Sequence, residues 1–230
     1  MINTKISLTK YEEILESVSA LPGRMEQAKT LLPILEKHFS FEKIECIETG
    51  ASQNFSDGCF GLFLCDLVDS TNGIFHSVDI DENLVKNSKS LFEKYYPNTN
   101  INHYVSDSVT FLKNYNGSPN LVHLDSKDLD LINPIPSMLH GWLEFDAIRD
   151  KMPSGSLCII DDNFLKGTWI NWNNYWHGEL TESKIIDINY EIIGKGSLIY
   201  HWCNEYNTDW EIIGDHYHAG PNIKIIIRKK

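Results

Sequence analysis

Short apolar runs with polar ends recur along the chain and predict buried β-strands. Five of them are Ile44–Glu48, Ile74–Asp79, Ile101–Val105, Asn120–Asp125 and Ser156–Asp161. Between the runs, apolar residues recur at helical spacing, as in Leu84–Tyr95 and Met138–Ile148. Strands that alternate with helices favour a parallel sheet covered on both faces. The pattern therefore predicts an α/β fold with ligands bound at the carboxyl ends of the strands.

The two ends of the chain depart from this alternation. Residues 1–40 carry helical patterns, with Leu31, Leu32 and Leu35 on one face, and are interpreted as an N-terminal helical preface. The segment WEIIGDHYHAGPNIKIIIRK contains two strand-like runs separated by Ala219, Gly220 and Pro221, which predicts a final hairpin. Residues 41–230 are accordingly predicted to form a single globular domain.

Charge and cysteine content narrow the possible partners. The 230 residues carry a formal net charge of −12, so we expect neither nucleic acid nor an anionic membrane as a partner. The five cysteines are far apart and form no C-x-x-C pair, which is typical of reduced thiols. No signal peptide or apolar run of about 18 residues is present in the sequence, so a cytoplasmic protein is expected.

Polar residues follow the first three predicted strands. Glu48 precedes Gly50, where a missing side chain permits a sharp turn or a close ligand, and Ser52 keeps the turn small. Asp79 ends the second strand, where an acid suits the hydroxyls of a ribose but also suits a turn cap. Asp107 and Ser108 follow the third strand and could meet an adenine edge or cap the next helix. Together these positions predict a nucleoside pocket.

As an ordered set, five motifs resemble those of the class I S-adenosylmethionine-dependent methyltransferases. They are IETGAS, SVDID, VSDSVTFL, LVHLDS and SLCIIDDN, and the resemblance covers residues 40 to 230. It implies a Rossmann-like, doubly wound, mostly parallel seven-stranded sheet with an antiparallel last strand, and S-adenosyl-L-methionine as cofactor. Ser52 stands where the family usually has another glycine.

The resemblance also implies a role for each polar strand end. Glu48 would lie near the methionine end of the cofactor and Gly50 would pass beneath it. Asp79 would bind the ribose, and Asp107 with Ser108 would flank the adenine.

Further oxygen-bearing residues end the fourth and fifth strands. Asp125 ends the fourth strand and Asp161, Asp162 and Asn163 end the fifth, so their oxygens would meet at one rim, where two carboxylates with an amide oxygen suit Mg²⁺ or Ca²⁺. Such a metal would lower the pKa of an acceptor hydroxyl. The same residues are also turn and cap residues, and Asp161 is an alternative to Asp162. The pattern resembles the metal-dependent O-methyltransferases of the catechol and caffeoyl-CoA type and their sugar and antibiotic relatives. This resemblance implies Asp125, Asp162 and Asn163 as metal ligands, and Asp125 and Lys127 as catalytic candidates.

The predicted activity is therefore methylation of a small-molecule hydroxyl, with a homodimer through the preface as a further expectation. A nicotinamide-dependent oxidoreductase would share the sheet and the ribose acid, but the sequence TGASQN lacks G-x-G-x-x-G. A non-catalytic protein that binds a nucleoside cofactor is the other alternative. The aromatic segment from Trp169 to Trp176 is interpreted as an acceptor wall, a lid or simple packing.

Overall fold

The computed structural model describes residues 9–17, 24–39, 41–52, 60–130, 132–166, 190–217 and 223–230. The helices in these ranges are α1 Thr9–Ser17, α2 Arg24–His38, α3 Phe60–Ser70, α4 Glu82–Tyr95, α5 Ser108–Asn114, α6 Ile135–Ile148 and α7 Ser197–Glu205. The strands are β1 Glu45–Thr49, β2 Ile74–Asp79, β3 Ile101–Val105, β4 Leu121–Leu124, β5 Leu157–Leu165, β6 Ile192–Gly194, β7 Trp210–Tyr217 and β8 Ile223–Lys229.

The strands form one mixed sheet in the order β3-β2-β1-β4-β5-β8-β7, and β6 pairs with the end of β5. The pairs from β3 to β5 are parallel, whereas β8 is antiparallel to both β5 and β7. This confirms the predicted Rossmann-like, mostly parallel sheet with an antiparallel last strand. The short β6 is an addition that the apolar pattern did not predict.

The alternation of side chains along each strand produces two hydrophobic cores. On one face, Cys46 and Leu121 pack with α1, α2 and α3, and Tyr11 and Phe63 place their rings 5.7 Å apart. On the other face, Val122 packs with α5, α6 and α7. Successive residues of a strand point to opposite faces, so apolar runs buried on both sides follow directly from this arrangement. The boundary predicted at residue 40 falls on a residue outside the described ranges and stays a prediction.

Backbone hydrogen bonds join the carboxyl ends of four neighbouring strands. The Gly50 amide donates to the Val78 carbonyl at 2.9 Å, and the Ser106 amide donates to the Asp79 carbonyl at 2.8 Å. The Asp125 amide donates to the Thr49 carbonyl at 3.0 Å. The ends of β3, β2, β1 and β4 therefore form one continuous rim, as the sequence predicts. Among the described residues, no helix has the length and apolar character that crossing a membrane requires.

Candidate active site at the strand ends

Gly50 begins the turn that follows β1, and the backbone there excludes any other residue. Its φ is +84°, and a Cβ atom would lie 2.3 Å from the backbone oxygen of Asp125. Both the left-handed conformation and the close approach of β4 require glycine. The structure accounts for this glycine by the contact between two strand ends, and cofactor contact at Gly50 stays a prediction.

Glu48 is the last residue but one of β1 and is buried. Its Oε1 lies 3.4 Å from Nδ1 of His123, and its Oε2 has no hydrogen-bond partner among the described residues. Burial raises the pKa of Glu48, although His123 partly offsets that rise. At the start of α3, a Cβ at Gly61 would lie 2.6 Å from Oε2, so a larger residue there would require this carboxylate to move. A buried oxygen without a donor is costly, and a ligand ammonium group would relieve that cost.

Asp79, at the end of β2, is hydrogen-bonded to the turn that follows β1. Its Oδ2 accepts from the Ala51 amide at 2.9 Å, and its Oδ1 accepts from the Asp81 amide at 2.8 Å. Each carboxylate oxygen can accept more than one hydrogen bond. The cap that the sequence left as an alternative is therefore present, and the carboxylate keeps capacity for a hydroxyl donor.

Asp107 and Ser108 begin α5 at the end of β3. Asp107 caps the helix through its Oδ1, which accepts from the Thr110 amide at 2.8 Å. Ser108 is buried, and its Oγ lies 3.1 Å from Nε2 of His140. That imidazole nitrogen is also 2.9 Å from Oγ of Ser126. The third strand end thus continues into a small polar cluster on β4 and α6.

A lysine that the sequence analysis missed lies at the rim carboxylates. Nζ of Lys195 is 2.5 Å from Oδ1 of Asp125 and 2.9 Å from Oδ2 of Asp162. The lysine side chain is 1% exposed, whereas the two carboxylates are 27% and 28% exposed. Asp162 reaches this position because its φ is +52° where the register between β5 and β8 shifts. The structure therefore brings two of the predicted metal ligands together, around an ammonium group.

Asn163, the third predicted ligand, uses its side chain in backbone contacts. Its Oδ1 accepts from the Gly196 amide at 2.7 Å, and its Nδ2 donates to the carbonyls of Ile160 and Asp161. The residue is fully buried. Its amide oxygen therefore holds the turn next to Lys195, which differs from the predicted arrangement of three ligands around an ion.

The charges at this rim depend on one another. Burial alone would lower the pKa of Lys195, but Asp125 and Asp162 raise it above its usual range, so the ammonium stays charged. Burial raises the pKa of Asp125, and Lys195 offsets only part of that effect. Lys127, the other catalytic candidate, is exposed and forms no hydrogen bond or ion pair within the described ranges.

A second set of charges lies beneath the rim, on the face covered by α3. Nε2 of His123 is 3.6 Å from Oδ2 of Asp161, which also pairs with Lys224. Burial by itself raises the pKa of Asp161, yet Lys224 and His123 hold it well below its usual range. For His123, burial lowers the pKa, but Asp161 and Glu48 raise it overall. Lys224 also lies 4.2 Å from the centre of the Phe60 ring.

These positions do not fit a divalent metal ion in the arrangement that the structure shows. One ligand atom each from His123, Asp125 and Asp161 lies within 4.8 Å of the others. However, Asp125 already pairs with Lys195 and Asp161 with Lys224, so a divalent cation in this group would lie beside two ammonium groups and be repelled by them.

Two signals in the sequence pointed to the missed lysines. Lys195 stands between Gly194 and Gly196, and Lys224 is a single charge in the apolar run Ile223–Ile227. A lone charge in a buried strand requires a partner of opposite sign, which predicts an acidic neighbour across the sheet. The aromatic residues proposed for acceptor choice, from Trp169 to Trp176, lie outside the described residues.

Comparison with known proteins identifies the fold. Neither a protein-family model nor a curated protein sequence matches the chain. A methyltransferase of Podospora anserina with S-adenosylhomocysteine bound is 13% identical, with a TM-score of 0.64 over 99% of this chain and 91% of that chain. An O-methyltransferase of Bacillus cereus with the same ligand is 11% identical, with a TM-score of 0.58 over 96% of this chain and 91% of that chain.

Nucleic-acid methylases share this fold as well. An rRNA methylase of Streptococcus thermophilus is 9% identical, with a TM-score of 0.51 over 86% of this chain and 92% of that chain. The prediction that excluded nucleic acid thus has no support from the comparisons. The chain has the Rossmann-like fold of the S-adenosylmethionine-dependent methyltransferases.

Proposed function

We propose that the protein is an S-adenosylmethionine-dependent methyltransferase that methylates a hydroxyl group of a small molecule. The observation that carries this proposal is the continuous rim formed by the ends of β3, β2, β1 and β4. Backbone hydrogen bonds join these ends, and the Asp79 carboxylate binds the turn at Ala51. In an open α/β sheet this crevice is where nucleoside ligands bind.

Each predicted cofactor contact has a specific role in the proposal. The unpartnered oxygen of Glu48 would accept from the amino group of the methionine portion. Asp79 would accept from the ribose hydroxyls with its remaining lone pairs. Asp107 and Ser108 would flank the adenine, and Gly50 with Ser52 would form the turn against which the cofactor lies. The buried acids on this side also suit the positive charge of a sulfonium.

The acceptor would bind beside Asp125. Its Oδ1 is held by Lys195, while its Oδ2 has no hydrogen bond to another described residue. In the proposed reaction Oδ2 of Asp125 would take the proton of the acceptor hydroxyl, so that the acceptor oxygen could receive the methyl group. The protein would supply orientation and the base, while the cofactor supplies the methyl group. Lys127 stays a second candidate for proton transfer from its exposed position on the same rim.

A small acceptor is favoured over nucleic acid by charge. The chain carries a formal net charge of −12, and the rim itself is lined by carboxylates. A polyanion approaching this rim would meet repulsion, whereas a neutral or cationic hydroxyl compound would not. Single-turnover assays with methyl-labelled cofactor on a hydroxyl library and on ribosomal RNA would separate the two acceptor classes.

Calorimetric titration of S-adenosylhomocysteine tests the cofactor assignment. Binding is expected in the micromolar range, about −8 kcal/mol, both with Mg²⁺ and with EDTA. Glu48→Gln keeps the shape of the buried side chain but removes its charge, and it is expected to weaken binding about tenfold. NADH serves as the matched control ligand. Binding of NADH without binding of S-adenosylhomocysteine would replace this proposal with the oxidoreductase alternative. Binding of S-adenosylhomocysteine without methylation of any acceptor would favour a non-catalytic protein that binds a nucleoside cofactor.

A further inference from the structure

We propose that the Lys195 ammonium is a built-in cation that takes the place of a divalent metal ion, so that this rim binds no metal. The inference goes beyond the proposed methyl transfer, because it concerns ion binding by the folded protein and can be measured without turnover. The sequence predicts three oxygen ligands around an ion, whereas the structure places the Lys195 ammonium between two of them.

The ammonium lies where a shared ion would have to lie. Nζ is 2.5 Å from one carboxylate oxygen of Asp125 and 2.9 Å from one of Asp162. Ca²⁺ binds carboxylate oxygens at about 2.3–2.6 Å and Mg²⁺ at about 2.0–2.1 Å, so an ion bridging the same two oxygens would overlap the nitrogen. Binding a metal would therefore require Lys195 to leave and its charge to be buried elsewhere or exposed.

The backbone around Lys195 opposes such a movement. Gly194 has a φ of +140°, and a Cβ there would collide with the Asp162 carbonyl oxygen. On the other side, Asn163 accepts from the Gly196 amide at 2.7 Å. α6 lies directly on this turn, because a Cβ at Gly141 would collide with the Lys195 carbonyl oxygen. Asn163, predicted as a metal ligand, thus stabilises the turn that carries Lys195.

The net charge of the two carboxylates and their cation differs between an ammonium and a divalent metal ion. A single ammonium between two carboxylates leaves one negative charge, whereas a divalent ion would leave none. The remaining charge faces the exposed side of the rim, because both carboxylates are partly exposed and the lysine is not. Lys195 is in these terms a positioning residue, since it acts by holding Asp125 and Asp162.

Mn²⁺ titration followed by electron paramagnetic resonance tests the inference on the full chain. The wild-type protein is expected to bind Mn²⁺ no more tightly than about 1 mM. Lys195→Ala vacates the position between the two carboxylates and is expected to gain a site that is at least about tenfold tighter. The double variant Lys195→Ala with Asp162→Asn should lose that gain. Lys127→Ala removes a positive charge from the same rim without vacating the position, and should match the wild type.

Two results would overturn the inference. One is micromolar Mn²⁺ binding by the wild-type protein that Asp125→Asn abolishes, because the metal would then displace or accompany Lys195. The other is a folded Lys195→Ala variant that gains no binding, because the carboxylates would then not be arranged around a cation position. Lys195→Ser is the replacement if the alanine variant does not fold, and the wild-type titration decides alone if neither folds.

Discussion

Lys195 and Asp125 are 70 residues apart in the sequence, and their side chains form an ion pair of 2.5 Å at the carboxyl end of β4. The pair joins the parallel half of the sheet to the turn before α7. Because the lysine is almost completely buried, its charge depends on Asp125 and Asp162 for compensation. Folding stability and the chemistry of the rim are therefore linked through the same contact.

Replacing Lys195 should destabilise the fold strongly. Removing one member of a buried ion pair leaves the other charge uncompensated and costs about 3–5 kcal/mol; the partial exposure of both carboxylates places this case near the lower value. Urea unfolding of Lys195→Ala is expected to show a loss of about 3 kcal/mol in the free energy of unfolding. Lys127→Ala, on the exposed part of the same rim, should stay within about 0.5 kcal/mol of the wild type. Equal stability of the two variants would show that Lys195 is not paired in the folded protein.

Asn163→Ala should reveal whether the Asn163 amide is structural. The variant leaves the buried Gly196 amide without its acceptor, and an unsatisfied buried donor costs about 1–3 kcal/mol. A loss of that size in urea unfolding is expected, with S-adenosylhomocysteine affinity within about twofold of the wild type. Asn163→Asp retains the oxygen acceptor for Gly196 but replaces the amide donor, which separates the two functions of the side chain. A variant with full stability would contradict the structural role.

Much of the sheet could be predicted because buried strands leave a direct pattern in the sequence. The runs Ile74–Asp79 and Ile101–Val105 match β2 and β3. β2 is buried along most of its length, whereas β3 lies at the edge of the sheet and is mostly half-buried. The close approach at Gly50 also follows from a local signal, a glycine at a strand end. The contact of Gly50 with the Asp125 carbonyl could be predicted only from the expectation that β1 and β4 are neighbours in the sheet.

The pairing at the rim could not be predicted in the same way. Lys195 directly follows β6, a strand of three residues that pairs with the extended end of β5. No periodicity marks so short a strand. The sequence also gives no sign that Asp162, among the many aspartates of the chain, has the left-handed φ that orients its carboxylate. The sequence Asp-Asp-Asn therefore predicts a ligand set, whereas in the structure Asn163 contacts backbone and Asp161 pairs with Lys224 beneath the rim.

Asp79 should affect cofactor affinity more than its neighbour Asp81 does. Asp79→Ala removes the acceptor that holds the Ala51 amide and the proposed partner of the ribose, so S-adenosylhomocysteine affinity is expected to fall at least tenfold, about 1.4 kcal/mol. Asp81 caps α4 by accepting from the Asn83 amide at 2.7 Å. Asp81→Ala should cost about 1 kcal/mol of stability and leave affinity unchanged.

Calorimetry on both variants, with unfolding curves as the control for stability, distinguishes the two roles. Equal losses of affinity in Asp79→Ala and Asp81→Ala would show that the effect comes from a general loosening of the end of β2. In that case the ribose assignment of Asp79 would have no support.

His103 should make stability depend on pH. The residue lies on β3 with its ring 5.7 Å from that of Phe92, and burial, with a smaller effect from Lys89, lowers its pKa to about 4. Glu93 is the one charged neighbour among the described residues that acts in the opposite direction. Between about pH 6.5 and pH 4 the unfolded chain therefore binds a proton at this site that the folded chain does not, so stability falls as the pH falls.

The contribution of His103 to this loss is at most about 3 kcal/mol over that range, and smaller to the extent that water reaches the ring. His103→Phe removes the titrating group but keeps an aromatic ring against Phe92, so its unfolding free energy should fall less steeply below about pH 6.5. His201→Gln, on α7, serves as the matched control. Urea unfolding at several pH values measures the difference, and parallel pH profiles of wild type and His103→Phe would show that His103 is protonated equally in both states.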